Sequence, residues 1–537
     1  MRTPLDTTSG AAPRRVLAAF FCFATLGSAC GSASEDAGSA GGEPANGVGT
    51  TTTSQGQGGA PPEKELESTY GAPVATGSYV WIPNPTSGRV AYIDAATLEV
   101  RLVDAGNGPT HLAPIPATGA DVAIVLNVLS YDATLLRAEG GALSALSLPV
   151  PSGGNTWSIS PDGRWAIAWT DARREASASA ADGFQDLTVL DLTPGAERST
   201  ALAVGYRPVA VVFDDEVSKA FAITQDGVGV LTLDGDEPVV QKNVPLSDDP
   251  LEDTTTRDVA VTPDGQFALV RRDGQATIGV FSLADDTRTD VSLPAAATDL
   301  DLSGDGKVAV VVMRDTSQVA LLPIPGIAAY PSTYGLVSVP DAVVGSAVLP
   351  SASPLALLYT NGIASPLLTT LDTSEASPQP HTLKLHAPVL AVFPAADADS
   401  AVVLHDALLG DDGTEAYPAA LSLVPLSLGL PSKIVGLDAP VAAVALSPSG
   451  DRALVAAGVE GGTTHRLYLA SLPSLQVESY ELASPPISAG IVAGAGKAFV
   501  AQKHPDGRIT FVDFETGEPR TITGFELAAH IVDGSKP

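Results

Sequence analysis

Short apolar stretches alternate with small polar turns along this chain, and one unit recurs ten times: an apolar stretch, a turn of the Ser-Pro-Asp-Gly kind, a second strongly apolar stretch, then a turn and further alternation. It reads most plainly from Trp157 to Ala168, around Ser160-Pro161-Asp162-Gly163, and from Val259 to Val270, around Thr262-Pro263-Asp264-Gly265. Weaker copies run from Leu300 to Val311 and from Val444 to Val455. In such a turn Pro presets one dihedral, Asp bonds its own backbone and Gly takes the left-handed position, so the motif specifies shape and says little about activity. Aligning the turn after the first strand of each unit places anchors at Pro116, Pro161, Asp215, Pro263, Gly304, Pro350, Pro394, Pro448 and Ala493, at steps of 41 to 54 residues. Each unit supplies four short strands, as at Val209 to Phe213, Ala220 to Thr224, Val228 to Leu233 and Val239 to Val244. Within a strand the apolar residues often run consecutively, the pattern of a sheet covered on both faces.

A period in the forties with four strands per unit predicts an all-β fold, a single large β-propeller over residues 76–537, with ten blades counted and eight as a floor. Tyr79 to Val103 supplies three strands with no first strand before them, and Glu526 to Val532 is one strand left over at the other end. The expectation is that this leftover strand completes the first blade and closes one ring, removing exposed sheet edges. A tandem immunoglobulin-like array would need about twice this period. The Ser160 and Thr262 turns, with Ile93-Asp94-Ala95-Ala96-Thr97 and Val512-Asp513-Phe514-Glu515-Thr516-Gly517, resemble the WD40-like and YVTN-type repeats of exported bacterial propellers. Propellers of that kind serve as scaffolds, receptors, lactonases, lyases and quinone-cofactor dehydrogenases, so the resemblance implies fold and leaves activity open.

The first residues read differently. Arg14-Arg15, the apolar run Val16 to Leu26 and then Gly27-Ser28-Ala29-Cys30 follow the charged, apolar and small-residue order of an export signal, and the run is too short for a permanent span. A cysteine after Gly-Ser-Ala resembles the bacterial lipoprotein lipobox, although Gly27 stands where that family usually has an apolar residue and Leu26 lies one place early. The resemblance implies removal of residues 1–29 and a lipid on Cys30. Cys22 lies inside the removed segment, leaving Cys30 without a disulfide partner. Residues 30–75, rich in Gly, Ser and Thr, read as a disordered tether. Gly31 after the cysteine resembles lipoproteins passed to the outer membrane, so the expected location is the cell envelope, at the outer membrane on its periplasmic or surface face.

The full chain carries a net charge of -32; without Arg2, Arg14, Arg15 and Asp6 it holds 26 basic and 60 acidic residues, a net -34. Such a surface repels phosphate backbones, which argues against nucleic acid and favours a soluble monomeric body. The seven histidines, His111, His381, His386, His405, His465, His504 and His530, form no metal-ligand motif, and no metal site is assigned to them. Four carboxylate clusters stand out: Asp214-Asp215-Glu216, Asp234-Gly235-Asp236-Glu237, Asp299-Leu300-Asp301 with Asp305, and Asp411-Asp412-Gly413-Thr414-Glu415. None matches an EF-hand loop; they read as solvated turns, with a structural calcium the one cofactor they leave open. Trp157, on an innermost strand, is either a stacking platform in the central channel or packing between blades, and packing is the ordinary use. No nucleophile elbow or phosphate loop is present, and no catalytic residue is assigned.

These observations lead to a membrane-tethered, non-catalytic binding or scaffolding lipoprotein that recognises a protein or a glycan through propeller loops. An envelope-assembly partner is the same reading with a protein ligand. The alternative is a propeller enzyme of the lactonase, lyase or quinoprotein kind, using carboxylates and His111 or His530 near the axis.

Overall fold

The Ser-Pro-Asp-Gly turns show why the chain folds locally as it does. In the computed structural model Ser160 Oγ accepts from Trp165 N at 2.9 Å and donates to Asp162 Oδ1 at 2.5 Å, while Asp162 Oδ1 accepts from Arg164 N at 3.0 Å. Thr262 and Asp264 repeat this network with Phe267 and Gln266, and Ser303 and Asp305 with Val308 and Lys307. The hydroxyl and the carboxylate thus satisfy backbone N–H groups that a tight reversal leaves unpaired, pinning the first two strands of a blade in register.

The structure describes residues 73–531 apart from 117–119, 141, 175–183, 236, 250–251, 352, 411–412, 427–429, 505 and 525–529, with the backbone alone for His530 and Ile531. The expected export signal, Cys30 and nearly all of the tether lie outside them. Ten four-stranded antiparallel meanders follow one another. Blade 1 is Val74–Ala75, Tyr79–Asn84, Arg89–Asp94 and Val100–Asp104; blade 2 is Pro109–Ile115, Asp121–Asn127, Asp132–Glu139 and Ala142–Pro149; blade 3 is Thr156–Ile159, Trp165–Trp169, Asp186–Asp191 and Arg198–Ala203. Blades 4 to 10 span 210–245, 257–292, 299–338, 346–384, 389–437, 441–481 and 486–523. The strands read at Val209, Ala220, Val228 and Val239 are blade 4, displaced by a residue or so.

The core lies in the gaps between blades. Ten clusters of buried apolar side chains each join two successive sheets. Ile124 and Leu126 of blade 2 meet Trp157 and Ala168 of blade 3, and Trp165 and Ile167 of blade 3 meet Val211 and Ala220 of blade 4. Second and third strands are therefore apolar on both faces, as the uninterrupted runs predicted. Phe499 and Phe511 of blade 10 share a cluster with Val80, Ala91 and Ile93 of blade 1, so the stack closes as one ring of ten.

Closure differs in one respect from the sequence expectation. Blade 1 has its own innermost strand, Val74–Ala75, paired antiparallel with Val80 and Trp81. The C-terminal strand does join this blade, but His530–Ile531 lies parallel beside Val100–Asp104, as a fifth strand on the outer edge. Two apolar residues just inside the tether boundary, too short a run to register as a strand, had already filled the inner place.

Candidate functional site

A meander sorts its connections by end. Turns from first to second and from third to fourth strand lie at one end of the ring, and these hold the tight Ser-Pro-Asp-Gly reversals. Connections from second to third strand and from one blade to the next lie at the other, which we call the loop end. Irregular segments here include the 3₁₀ turn Ala172–Arg174 in blade 3, the Thr254–Thr256 turn before blade 5, and the hairpin Leu408–Leu409 with Glu415–Tyr417 in blade 8, while the short helix Gly326–Ala329 of blade 6 lies at the opposite end. Scaffolded loops of this kind are where propeller-like folds place recognition.

At the loop end of blades 2 and 3 lies a cavity of about 510 Å³, lined by Thr110, His111, Val128, Tyr131, Ser152, Gly153, Gly154, Asn155 and Phe184. His111 is the third residue of the innermost strand of blade 2, and its imidazole is pushed down to about 4 by burial, with the Arg174 charge adding to the effect. It is therefore neutral at physiological pH. Asn155 is locked by Asp171: its Nδ2 donates to Asp171 O at 3.1 Å and its Oδ1 accepts from Asp171 N at 2.8 Å. Asp171 also holds Arg173 at 2.8 Å and Arg174 at 3.7 Å, so both guanidiniums are anchored beside the cavity wall. Trp157 does not face the channel. Its Nε1 donates to His111 O at 2.9 Å and its ring is buried between blades 2 and 3, which is the packing role.

A second polar group occupies the loop end of blades 5 and 6. Arg271 reaches Asp258 at 2.5 Å and Asp273 at 2.7 Å. Asp299, buried nearby, accepts from Leu300 N at 2.9 Å and Ala347 N at 2.6 Å. Burial pushes its carboxyl up to about 7, with Asp258 adding repulsion while those N–H groups and Arg271 pull the other way. Both Asp299 oxygens thus serve backbone donors within the wall, which marks a structural carboxyl. Its pKa is raised relative to the unfolded chain, so between about pH 4 and pH 7 folding retains a proton that unfolding releases, and stability falls as pH rises through this window. In Asp299→Asn, which does not titrate, that dependence is gone. The stability advantage of wild type over the variant is expected to shrink by on the order of 2 kcal/mol between pH 5 and pH 8; a constant difference in urea unfolding at the two pH values would refute it.

The other candidates from the sequence disperse. His381 is on the outer strand of blade 7, as expected, and His504 takes a backbone N–H from Asp506 at 3.2 Å. His405 Nε2 meets Ser422 Oγ at 2.7 Å and its Nδ1 meets Pro388 O at 2.8 Å, with both side chains buried. The same position carries Asn127 with Thr134 in blade 2 and Gln502 with Thr510 in blade 10, so this is a recurring buried pair joining second to third strand, and no nucleophile is exposed there. Asp214 caps Lys219 N at 2.8 Å in a blade 4 turn, Asp305 pairs with Lys307 at 2.8 Å, and Asp236, Asp411 and Asp412 lie outside the described residues. Among the described residues no three His, Cys, Asp or Glu side chains gather as a metal site, and no helix is long and apolar enough to cross a membrane. The sequence reading passed over Tyr131, Phe184 and the Ser152 to Asn155 loop; the glycine pair beside Asn155, before an innermost strand, was the available signal.

No protein-family model matches the chain, and no curated protein matches it. Among solved structures, it is similar to a eukaryotic initiation factor (TM-score 0.44, 12% identity, covering 83% of this chain and 95% of that one). It is also similar to the WD40 repeats of RRP9 (0.32, 12%, 54% and 85%) and to hydrazine synthase of Kuenenia stuttgartiensis (0.34, 14%, 59% and 95%). The class, a ten-bladed β-propeller, follows from the ring described above, and its activity has to be argued from its own residues.

Proposed function

We propose that this protein is a non-catalytic recognition propeller, held at the bacterial envelope by a lipid on Cys30 and the 30–75 tether, and engaging a protein or glycan with its loop end. One observation carries the recognition part: in a chain of net charge -32, the loop-end cavity of blades 2 and 3 is walled, among the described residues, by aromatic, apolar and polar groups, with no carboxylate. Large exposed apolar side chains, Leu129 at 70% and Tyr131 at 53%, stand on its rim or beside it, where a ligand would cover them. The anchor rests on the Arg14-Arg15, Val16 to Leu26 and Gly27-Ser28-Ala29-Cys30 order. Outer-membrane placement rests on Gly31.

Two measurements test it. Cys30→Ser should move the protein from the membrane fraction to the soluble one and abolish incorporation of labelled palmitate; unchanged fractionation refutes the anchor. A ligand recovered chemically unaltered after prolonged incubation supports recognition, and turnover would restore the channel-enzyme alternative.

A further inference from the structure

We infer that the blade 2 and 3 cavity takes an uncharged pyranose, its C–H face stacked on Tyr131 and its hydroxyls bonded by His111 and the neutral side chains around it. The inference rests on the reading of the loop end as a recognition surface and names the ligand class.

The backbone supplies the first argument. The residue just before the third strand is left-handed in four blades: Gly88 at φ 72°, Gly507 at 75°, Ser317 at 48° and Tyr131 at 57°. Glycine adopts this conformation freely, whereas a bulky aromatic is held there against its preference. Core packing does not explain the choice, because the Tyr131 side chain is half exposed. The turn itself is fixed by the backbone, Tyr131 N donating to Asn127 O at 3.0 Å and Val150 N to Tyr131 O at 3.2 Å. What Tyr131 contributes beyond glycine is a ring presented at the rim of a cavity, with Phe184 in the same lining. Leu98, Val217 and Leu475 are left-handed too, in tight turns, so it is the exposed ring at the cavity rim, and not the dihedral, that points to a ligand.

The lining supplies the second. Among the described residues of the lining there is no carboxylate, lysine or arginine, although the chain has 61 acidic ones. Among these residues an anionic ligand would find no cation in direct contact and a cationic one no carboxylate, while the guanidiniums beside the wall, Arg173 and Arg174, are already paired with Asp171. The His111 ring, kept neutral by burial, has no hydrogen-bond partner among the described residues. A neutral imidazole offers one donor and one acceptor, which suits a hydroxyl that must both give and receive. Ser152 adds a hydroxyl, Thr110, whose hydroxyl donates to Gly108 O at 2.9 Å, adds an acceptor, and about 510 Å³ is in the range of small-ligand sites.

Titration calorimetry of the purified protein against neutral gluco-, galacto- and manno-configured oligosaccharides, the matching uronic acids and the matching amino sugars tests this. At least one neutral sugar should bind tenfold or more tighter than its charged counterparts. Tyr131→Gly should cost tenfold or more in affinity while leaving the thermal midpoint unchanged or higher, Tyr131→Phe should stay within about threefold, and His111→Ala should lose at least tenfold. Tighter binding of a charged sugar, unchanged affinity in Tyr131→Gly, or a lowered midpoint in that variant overturns the inference. If no sugar binds but Leu129→Asp releases a purified protein ligand, recognition at the loop end stands and the sugar falls. If a neutral sugar binds and is returned cleaved, the sugar stands and the non-catalytic reading falls.

Discussion

Gly163→Ala is expected to lower the unfolding free energy by roughly 3 kcal/mol, while Gly195→Ala, at a left-handed position with nothing near it, should cost only about 1–2 kcal/mol. Both glycines are left-handed, at φ 72° and 79°. The difference lies in what a methyl group would meet: at Gly195 nothing within 4 Å, at Gly163 the Pro116 carbonyl oxygen at 1.7 Å. Pro116 belongs to the first turn of blade 2, so this glycine is where two neighbouring reversals touch backbone to backbone. The clash cannot be relieved by a rotamer and must be absorbed by separating blades 2 and 3, with overpacking costs of about 1–3 kcal/mol added to the dihedral cost. Urea unfolding of the two variants, read against wild type, checks the ordering. Equal losses would mean that the glycine serves its own turn alone.

That contact also shows what a sequence conveys and what it withholds. The turn chemistry of Ser160-Pro161-Asp162-Gly163 is local, and so were the strand order, the period and the ten-fold count, since each blade is built from consecutive residues. The second demand on Gly163 was hidden because its cause is a blade earlier in the chain. The candidate site was hidden for the same reason. Tyr131 comes from the middle of blade 2, the Ser152 to Asn155 loop from the passage to blade 3, and Phe184 from within blade 3. None forms a motif with its sequence neighbours. His111 was legible as a candidate by type, yet its neutrality follows from burial that only the assembled ring creates. Asp299 read as part of an acidic turn cluster, whereas the fold separates it from Asp305 and sets it against Ala347 of the next blade. The left-handed conformation at Tyr131 left a faint trace, an aromatic where three other blades place glycine or serine.

Phe499→Ala should be the most damaging single change at the seam, costing about 3–5 kcal/mol, and more than deletion of residues 525–537. The sequence suggested that a strand from the far end clasps the ring; that strand does join blade 1, and the fold adds an apolar seam between blades 10 and 1. Where blade 10 meets blade 1, Phe499 and Phe511 sit with ring centroids 6.4 Å apart and pack with Val80, Ala91, Ile93 and Leu102. Gly490, opposite Phe499 on the neighbouring strand, leaves the room its ring occupies, since a methyl there would stand 2.5 Å from that ring. Across the same seam Gly494 N donates to Gly77 O at 2.9 Å. Among the described residues the C-terminal strand contributes two paired residues on an outer edge, His530 beside Arg101 and Ile531 beside Leu102. At about 1 kcal/mol net per hydrogen bond, its removal should cost about 2 kcal/mol. Emptying the Phe499 site removes apolar area and leaves a cavity between two sheets whose separation would expose both faces to water. Chemical denaturation of the two variants side by side decides where closure resides. A larger loss from the deletion would return the clasp to the terminal strand, and a larger loss from Phe499→Ala places it in the apolar seam.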